Sequence, residues 1–229
     1  MRYFLRSVIE QYQAGKRCEY VFFWGHHVQE GRVTKACFSQ WYPARFHVDG
    51  VEYNCAEQYM MAEKARLFAD EDVRMQIMQC EDPSEIKALG QLVRPFDAGI
   101  WSKHAQQIVI RGNLHKFGQH PELCRFLLDT GESILVEASP YDNIWGIGMK
   151  ESDEGVDNPC LWKGTNYLGF ALMEVRDLLK GTHGETSPAA ISSIPCICGH
   201  SGDGKCHCTE DDSYLFPFGC CQTDEKDVE

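Results

Sequence analysis

The fold is decided by the stretch Asn54-Cys55-Ala56-Glu57-Gln58-Tyr59-Met60-Met61-Ala62-Glu63-Lys64-Ala65-Arg66. Alanine favours helix, and neither glycine nor proline interrupts the run. Asn54 is a good N-cap residue, so we predict that the helix begins there. Helical spacing then places Glu57, Met61 and Lys64 on one face at i, i+4 and i+7. A carboxylate and an ammonium on either side of a soft apolar residue predict a face that holds a polar ligand.

Two residues of this face also have local explanations. With Asn54 as the cap, Glu57 falls at the third helical position, where a capping box folds the carboxylate back onto the amide of the cap. Lys64 stands late in the helix, where a solvated lysine favours the C-terminal end of the helix dipole. Spacing alone leaves both interpretations open, and only neighbours from elsewhere in the chain decide between them.

The bulk composition indicates one folded domain followed by a tail. The chain has 229 residues, 43% of them hydrophobic, which is enough for one substantial core. Glycine, serine, proline, threonine and acidic residues dominate after residue 180. We therefore expect a peripheral helix in residues 1–19, a domain in residues 20–180 and a tail in residues 181–229.

The formal charge of −12 is divided unevenly along the chain. Nine acids and two lysines give the tail a charge of −7, which leaves −5 for residues 1–180. A mildly acidic domain disfavours a broad electrostatic grip on nucleic-acid backbone. A small nucleotide, or the end of a strand, fits this charge better.

Six of the twelve cysteines are scattered singly through residues 1–180. Arginines interrupt the apolar residues at the N-terminus, and no run reaches transmembrane length. We therefore expect a cytoplasmic or nuclear protein that is not secreted and does not contact a membrane, in which these thiols are reduced core residues.

The other six cysteines lie in the tail and allow two interpretations. One is a disordered thiol-bearing segment. The other is a zinc site, although Cys-x-Cys pairs depart from the usual Cys-x-x-Cys spacing. Its candidate ligands are Cys196, Cys198, His200, Cys206 and Cys208.

The remaining pattern predicts an α+β fold, a predominantly helical domain with a few short strands. We expect strands at Tyr20–Trp24 and 133–138, and a hairpin in 46–53 around an Asp-Gly turn. Adjacent His26 and His27 follow the first strand, but no further metal ligand stands at a usable spacing. Further helices are predicted for 70–78, from 84 to 90, from Ser102, from Pro121 and up to residue 180, with 94–101 as a loop.

Two later segments contain glycines next to candidate ligand-binding side chains. In Tyr141–Gly148, two glycines beside Trp145 predict backbone close to something flat or crowded, with Asp142 nearby. An Asx turn at Asp142 and a core position for Trp145 are the local alternatives. In Lys163–Gly169, two glycines and Asn166 precede the last helix, either as an anion-binding turn or as a simple cap.

Together these motifs resemble the YbiA-like or NADAR family. The shared pattern comprises Phe38-Ser39, Ala56-Glu57-Gln58-Tyr59, Trp101, Asp142-x-x-Trp145-Gly146 and Gly164-x-Asn166-x-Leu168-Gly169. It runs in order from Tyr20 to Leu179, which makes it far more specific than any single motif. Members bind or process compounds related to NAD and ADP-ribose. Some are similar to N-glycosidases of early riboflavin-pathway intermediates, and others remove ADP-ribose from guanine bases in nucleic acid.

The resemblance implies catalytic roles for Glu57 and Asp142, and for Glu57 it takes precedence over the capping interpretation. The sequence departs from the family pattern at three positions: Gln58, Met60 and Gln91 stand where histidine, an aromatic residue and arginine are common. The expected substrate-binding residues are Phe38, Ser39, Tyr59, Trp101, Trp145, Gly146 and Asn166 from the shared pattern, and Lys64 from the helix face.

The expected activity is hydrolysis of the bond between ribose and guanine in an ADP-ribosylated nucleotide, DNA or RNA. Breaking the ribosyl C1–N bond develops positive charge on the sugar, which a fixed carboxylate, here Glu57, stabilises while it activates water. Asp142 and Lys64 would orient ribose hydroxyls or assist the leaving base, and Trp101 and Trp145 would form stacking walls that exclude water. The scheme requires no metal or cofactor.

Two alternatives accompany this expectation, and the sequence leaves the number of subunits open. One is cleavage of a riboflavin-pathway ribosylaminopyrimidine phosphate. The other is a module that binds ADP-ribose or NAD without turnover.

Overall fold

The computed structural model describes residues 2–182. Within this range the chain forms seven α-helices, four short strands and two single-turn 3-10 helices. The helices are α1 (Leu5–Gln13), α2 (Ala56–Leu67), α3 (Glu71–Gln79), α4 (Pro83–Leu92), α5 (Ala98–Gln119), α6 (Pro121–Leu128) and α7 (Tyr167–Thr182). The strands are β1 (Tyr20–Phe23), β2 (Phe46–Val48), β3 (Val51–Tyr53) and β4 (Ile134–Glu137). The predicted α+β, predominantly helical fold is confirmed.

Helix α2 occupies the centre of the molecule. It packs against α3, α4 and α5, and nine of its twelve residues are buried. Glycines on two neighbouring helices allow this close packing. A Cβ atom at Gly90 of α4 would lie 2.0 Å from Sδ of Met61, and one at Gly112 of α5 would lie 2.5 Å from Cδ1 of Tyr59. The buried polar side chains of α2 are Glu57, Gln58 and Glu63.

The four strands form two separate pairs. Strand β1 pairs in parallel with β4, so that Tyr20 lies opposite Ile134 and Phe23 opposite Glu137. Strands β2 and β3 form the predicted hairpin, with φ of 51° at Asp49 and 80° at Gly50. Two successive positive φ angles are the conformation that makes Asp-Gly a favoured two-residue turn.

The start of α5 differs from the sequence prediction. The helix begins at Ala98, four residues before Ser102, because Oδ1 of Asp97 accepts the backbone N–H of Ile100 at 2.8 Å and caps the earlier turn. Trp101 therefore lies in the first turn of a helix instead of in a loop.

Helix α7 closes the fold by packing on α5 and β4. It extends from Tyr167 to Thr182, the last residue that the structure describes. Across residues 2–182, no helix is both long and apolar enough to span a membrane.

Candidate active site

Glu57 is the second residue of α2, and its side chain does not cap the helix. The N-cap is Cys55, so the predicted cap at Asn54 is wrong. Oε1 of Gln58 accepts the backbone N–H of Asn54 at 2.7 Å, the contact that the capping interpretation assigned to Glu57. The Glu57 N–H instead donates to the carbonyl of Gln40 at 3.0 Å. The Glu57 carboxylate therefore remains for other partners, although the residue is only 6% exposed.

Glu57 belongs to a group of three acidic residues, Glu57, Glu137 and Asp142, which we call the carboxylate cluster. Burial raises the pKa of Glu57 to about 7. Lys87 and the side chain of Trp41, which hydrogen-bonds to the carboxylate, oppose this rise, and the charge of Asp142 adds to it. Such a pKa lies near the value at which a carboxyl group serves best as a proton-transfer group at neutral pH.

Glu137 is the last residue of β4 and the cluster member that sequence analysis missed. Burial raises its pKa to about 8, and the charges of Asp142 and Glu57 contribute to the rise. Its Oε2 atom is buried and has no hydrogen-bond partner among the residues that the structure describes. Carboxyl groups that share a site resist simultaneous ionisation, so the cluster holds a proton at neutral pH.

Asp142 forms the Asx turn that was its local alternative, and it also belongs to the carboxylate cluster. Its Oδ1 accepts the backbone N–H groups of Ile144 at 2.9 Å and Trp145 at 2.7 Å, which is an Asx turn. The turn holds the carboxylate at a fixed position five residues after Glu137. The charge of Asp142 raises the pKa of both Glu57 and Glu137. The side chain that forms the turn therefore also acts in the carboxylate cluster.

Asn166 and the glycines build the backbone around the cluster. Asn166 has a φ of 56°; its Oδ1 accepts the N–H of Glu137 at 3.0 Å, and its Nδ2 donates to the carbonyl of Leu135 at 2.9 Å. A Cβ atom at Gly164 would lie 2.3 Å from the carbonyl oxygen of Gly146, so only glycine permits this contact. Asn166, Gly146 and Gly164 therefore position the end of β4, and the crowding predicted for Tyr141–Gly148 is crowding by the protein's own backbone.

Two further residues act on the cluster and were also missed by sequence analysis. The side chain of Trp41 contacts the Glu57 carboxylate. Lys87 lies on α4, and its charge opposes the raised pKa of both Glu57 and Glu137. A carboxylate at the end of a predicted strand was the available signal for Glu137, whereas nothing local marks Trp41 or Lys87, because each is distant in sequence from Glu57.

Lys64 is engaged in contacts with the protein. Its Nζ donates to the carbonyl of Gly90 at 2.7 Å and lies 4.4 Å from the ring centroid of Phe96 and 5.6 Å from that of Trp101. Burial and, to a lesser extent, the charge of Arg94 lower its pKa. Lys64 therefore connects α2 to the end of α4 and to the aromatic residues around the start of α5.

The two predicted tryptophan walls are both partly buried. Trp101 packs against the hydrophobic core beside the Lys64 ammonium. Trp145 packs edge-on against Tyr167, with ring centroids 6.1 Å apart. The backbone N–H of Trp145 donates to Oδ1 of Asp142 at 2.7 Å. Trp145 is thus tied directly to the carboxylate cluster, whereas Trp101 is tied to it through the packing of α2.

Three other predicted substrate-binding residues, Phe38, Ser39 and Tyr59, contact the protein itself. Phe38 is fully buried against Phe23, Phe117 and Phe126, and Tyr59 is fully buried against Tyr53. The substrate contacts predicted for Phe38 and Tyr59 have no counterpart in this geometry, because both rings lie in the core. Ser39 shapes the backbone instead: its Oγ accepts the N–H of Trp41 at 3.2 Å.

Candidate metal ligands stand at two places in the sequence. Among the residues from 2 to 182, no group of three or more His, Cys, Asp and Glu side chains has the geometry to hold a metal ion. The rings of His26 and His27 are stacked with centroids 5.5 Å apart. The tail candidates Cys196, Cys198, His200, Cys206 and Cys208 lie outside the described residues.

Curated proteins with similar sequences include proteins named as N-glycosidases. The chain is 46% identical over 165 residues to "N-glycosidase R617" of Acanthamoeba polyphaga mimivirus, which covers 69% of this chain and 95% of the viral protein. It is also 34% identical over 119 residues to "Riboflavin biosynthesis protein PYRR, chloroplastic" of Zea mays, a match that covers 48% of this chain and 17% of the maize protein.

The fold has a counterpart among solved structures, and a family model covers most of the chain. The NMR structure of the Escherichia coli protein YbiA superposes with a TM-score of 0.57 at 26% identity, covering 74% of this chain and 89% of YbiA. The model of the NADAR domain matches residues 22–180, a range that contains the carboxylate cluster and every residue placed around it above. The chain therefore belongs to the NADAR domain family.

Proposed function

We propose that the protein is a hydrolase of N-glycosyl bonds that removes ADP-ribose from guanine bases in nucleic acid or nucleotides. Similarity to proteins named as N-glycosidases supports the class of bond. The observation that carries the proposal is the carboxylate cluster, in which Glu57 and Glu137 have raised pKa values and Oε2 of Glu137 lacks a protein partner among the described residues. Perturbed groups that share one buried site are typical of acid–base catalysis.

The proposed reaction consumes one water molecule. Water attacks C1 of the ribose while the C1–N bond breaks, and the bonding electrons leave with the nitrogen. Glu57 in its ionised form lies beside C1, stabilises the positive charge of the sugar and accepts a proton from the water. Glu137 in its protonated form donates a proton to the leaving nitrogen. The products are ADP-ribose with a hydroxyl at C1 and the neutral base, whose released nitrogen carries the proton from Glu137. The proton on Glu57 then returns to Glu137 through solvent, which restores both starting forms.

The residues around the cluster have supporting roles in this scheme. Asp142, fixed by its Asx turn, orients ribose hydroxyls. Trp145 is attached to the same turn and supplies an apolar wall. The cationic role that the sequence suggested for Lys64 is assigned to Lys87, because the Lys64 ammonium donates to Gly90, whereas the Lys87 charge acts on both glutamates. The scheme uses no metal or cofactor.

A second candidate substrate is a ribosylaminopyrimidine phosphate of riboflavin synthesis. The name of the maize relative favours it, and the same acid–base chemistry would cleave its ribosyl C1–N bond. A module that binds ADP-ribose without turnover is the third possibility. The proton-holding cluster favours catalysis over binding alone, because an ionisable group with a raised pKa serves proton transfer.

One assay separates these possibilities. Purified protein is incubated with ADP-ribosylated guanosine, with ADP-ribosylated guanine in single-stranded DNA and in RNA, and with ribosylaminopyrimidine phosphate, and released sugar is quantified by chromatography. We expect free ADP-ribose from at least one guanine substrate. Turnover of the pyrimidine substrate alone would replace the proposal by the second candidate. ADP-ribose binding in a titration without release from any substrate would leave the binding module.

A further inference from the structure

A cavity of about 350 Å³ lies beside the N-terminal end of α2. This volume falls within the range of small-molecule sites in proteins. It is distinct from a second cavity of about 530 Å³, which lies at the end of β1 and is lined by residues including Trp24 and His27. The smaller cavity is lined by residues that include His26, Trp41, Arg45, Asn54, Cys55 and Pro83.

Three separate parts of the chain connect this cavity with the carboxylate cluster. Cys55 lines the cavity and stands two residues before Glu57. Pro83 lines it at the first position of α4, and Lys87 follows at i+4 on the same helical face and acts electrostatically on Glu57. Trp41 lines the cavity and also contacts the Glu57 carboxylate. The cavity is therefore next to the proposed site of bond cleavage.

The polar and aromatic groups of the cavity suit a planar heterocycle. The rings of Trp41 and His26 lie with centroids 5.5 Å apart. Asn54 is 8% exposed, and its Nδ2 donates to the carbonyl of Cys80 at 3.1 Å, which fixes the orientation of the amide. Its Oδ1 has no hydrogen-bond partner within the described part of the chain. That atom is buried away from the open cavity, so the rings of Trp41 and His26 are the groups that a planar ligand would contact.

The charges of the cavity disfavour a phosphate group. Arg45 is already paired with Glu52 at 3.0 Å and with Glu81 at 3.1 Å. Burial raises the pKa of the Cys55 thiol to about 11, so the thiol is neutral at physiological pH. An uncharged planar ring is the ligand that these surroundings favour over a diphosphate.

We infer that this cavity is the subsite of the leaving base, in which a planar heterocycle packs against the rings of Trp41 and His26. The inference rests on the proposed function, because that function places Glu57 at ribose C1 and the base beside it. Guanine and an aminopyrimidine are both planar, uncharged heterocycles, so both fit this description. The base would stand on the Trp41 side of Glu57.

The test follows the indole N–H resonances of ¹⁵N-labelled protein during titration with guanosine, 2,4,5-triaminopyrimidine and ADP-ribose. We expect guanosine to shift the resonance of Trp41, identified from a Trp41→Phe spectrum, and to leave that of Trp24 unchanged. A triaminopyrimidine shift at Trp41 without a guanosine shift would keep the subsite and assign it to the second candidate substrate. A shift at Trp24 alone, or no shift at Trp41 with either heterocycle, would overturn the inference.

A matched pair of variants supplies the energetic arm. His26→Ala should weaken guanosine binding about tenfold, the scale of one aromatic stacking contact, and change ADP-ribose binding less than twofold. The control is Gln29→Ala, because Gln29 lies in the same loop but lines the larger cavity. Equal effects of the two variants on guanosine would contradict the subsite. If the protein binds ADP-ribose and releases it from a guanine substrate while guanosine leaves the Trp41 resonance unchanged, only the subsite fails. If no substrate is cleaved, the proposed function fails first.

Discussion

Lys116 of α5 is fully buried and Glu137 of β4 is partly buried, and the surroundings of these two ionisable residues differ. Nζ of Lys116 donates to the carbonyl oxygens of Cys37 at 2.7 Å and Ser39 at 2.8 Å. It also lies 5.5 Å from the ring centroid of Tyr42. Oε2 of Glu137, in contrast, has no partner among the described residues, and the charges near it include two further carboxylates.

The difference separates a structural charge from a functional one. Lys116 connects α5 to the segment that carries Trp41, because it is bound to the carbonyls on either side of Phe38. Two protein carbonyls thus accept hydrogen bonds from its ammonium, and burial lowers its pKa to about 8. The carboxylate cluster keeps unsatisfied groups and like charges together, which costs folding free energy. A fold retains such a cost where the groups act on something that the protein alone does not provide.

The largest effect is expected from removing the charge of Glu57. Glu57→Gln keeps the shape and helix propensity of the residue but removes the base, so we expect the turnover of the ADP-ribosylated guanine substrate to fall at least ~100-fold, the lower range of general acid–base contributions. Stopped or timed assays with saturating substrate give kcat. The matched control is Glu63→Gln on the same helix, which removes a buried glutamate paired with Arg66 at 2.6 Å. Equal losses in both variants would show that buried charge in α2, and not the cluster, is responsible.

The next effect concerns stability as a function of pH. The pKa of Glu137 is raised to about 8 from an ordinary value near 4.5, so the folded state retains a proton that the unfolded state releases. This contribution to stability is complete below pH 4.5 and is lost as the pH rises through about 8. Glu137→Gln should therefore be more stable than the parent at pH 8 by about 1–3 kcal/mol, with little difference at pH 4.5.

Urea unfolding of parent and variant at pH 4.5, 6 and 8 measures this difference. The same variant should lose turnover, because it removes the proposed proton donor. A variant that is less stable than the parent at pH 8 would place Glu137 among the structural charges, alongside Lys116.

A smaller effect, with the opposite dependence on pH, is expected for Lys116. Lys116→Met leaves the carbonyls of Cys37 and Ser39 without donors but removes the cost of a buried cation, so we expect a net loss of about 1–2 kcal/mol at pH 7. Because the folded pKa is about 8 and lies below its ordinary value near 10.5, the parent gains stability as the pH rises from 8 toward 10.5. The deficit of the variant should therefore be larger at pH 9.5 than at pH 7.

Denaturant unfolding at the two pH values, with the exposed Lys103→Met of the same helix as control, measures this deficit. A deficit that shrinks at pH 9.5 would reverse the assigned direction of the Lys116 pKa. Equal deficits in Lys103→Met would show that the two carbonyl contacts do not matter.

The smallest effect is expected from shortening the chain after α7. A protein that ends at Thr182 keeps the whole range matched by the NADAR domain and every residue of the carboxylate cluster. We expect kcat within twofold of the full-length value and an unchanged melting temperature. A clear fall in either quantity would make residues 183–229 part of the catalytic domain. Zinc analysis of both proteins by mass spectrometry tests the ligand prediction for the tail.

Local signals predicted most of the elements but misplaced some of their ends. The Asp49-Gly50 turn, the central helix and the helix opened by Pro121 are set by neighbours in sequence, and all three are present. The starts of α2 and α5 were misplaced for different reasons. At α5, Asp97 caps an earlier turn through its local contact with the N–H of Ile100. At α2 the choice follows from Gln58, whose amide also donates to the carbonyls of Ile77 and Cys80, each at 3.0 Å.

The sequence by itself determined the fold class, the family and two members of the carboxylate cluster, Glu57 and Asp142. These follow from motifs whose order and spacing are visible along the chain. Only the tertiary structure decided that Glu137 completes the cluster and that Trp41 and Lys87 act on it. The physical reason is that a pKa depends on burial and on charges nearby in space, and these come from β4, α4 and the segment before the hairpin. Sequence spacing holds no information about distances across such packed elements.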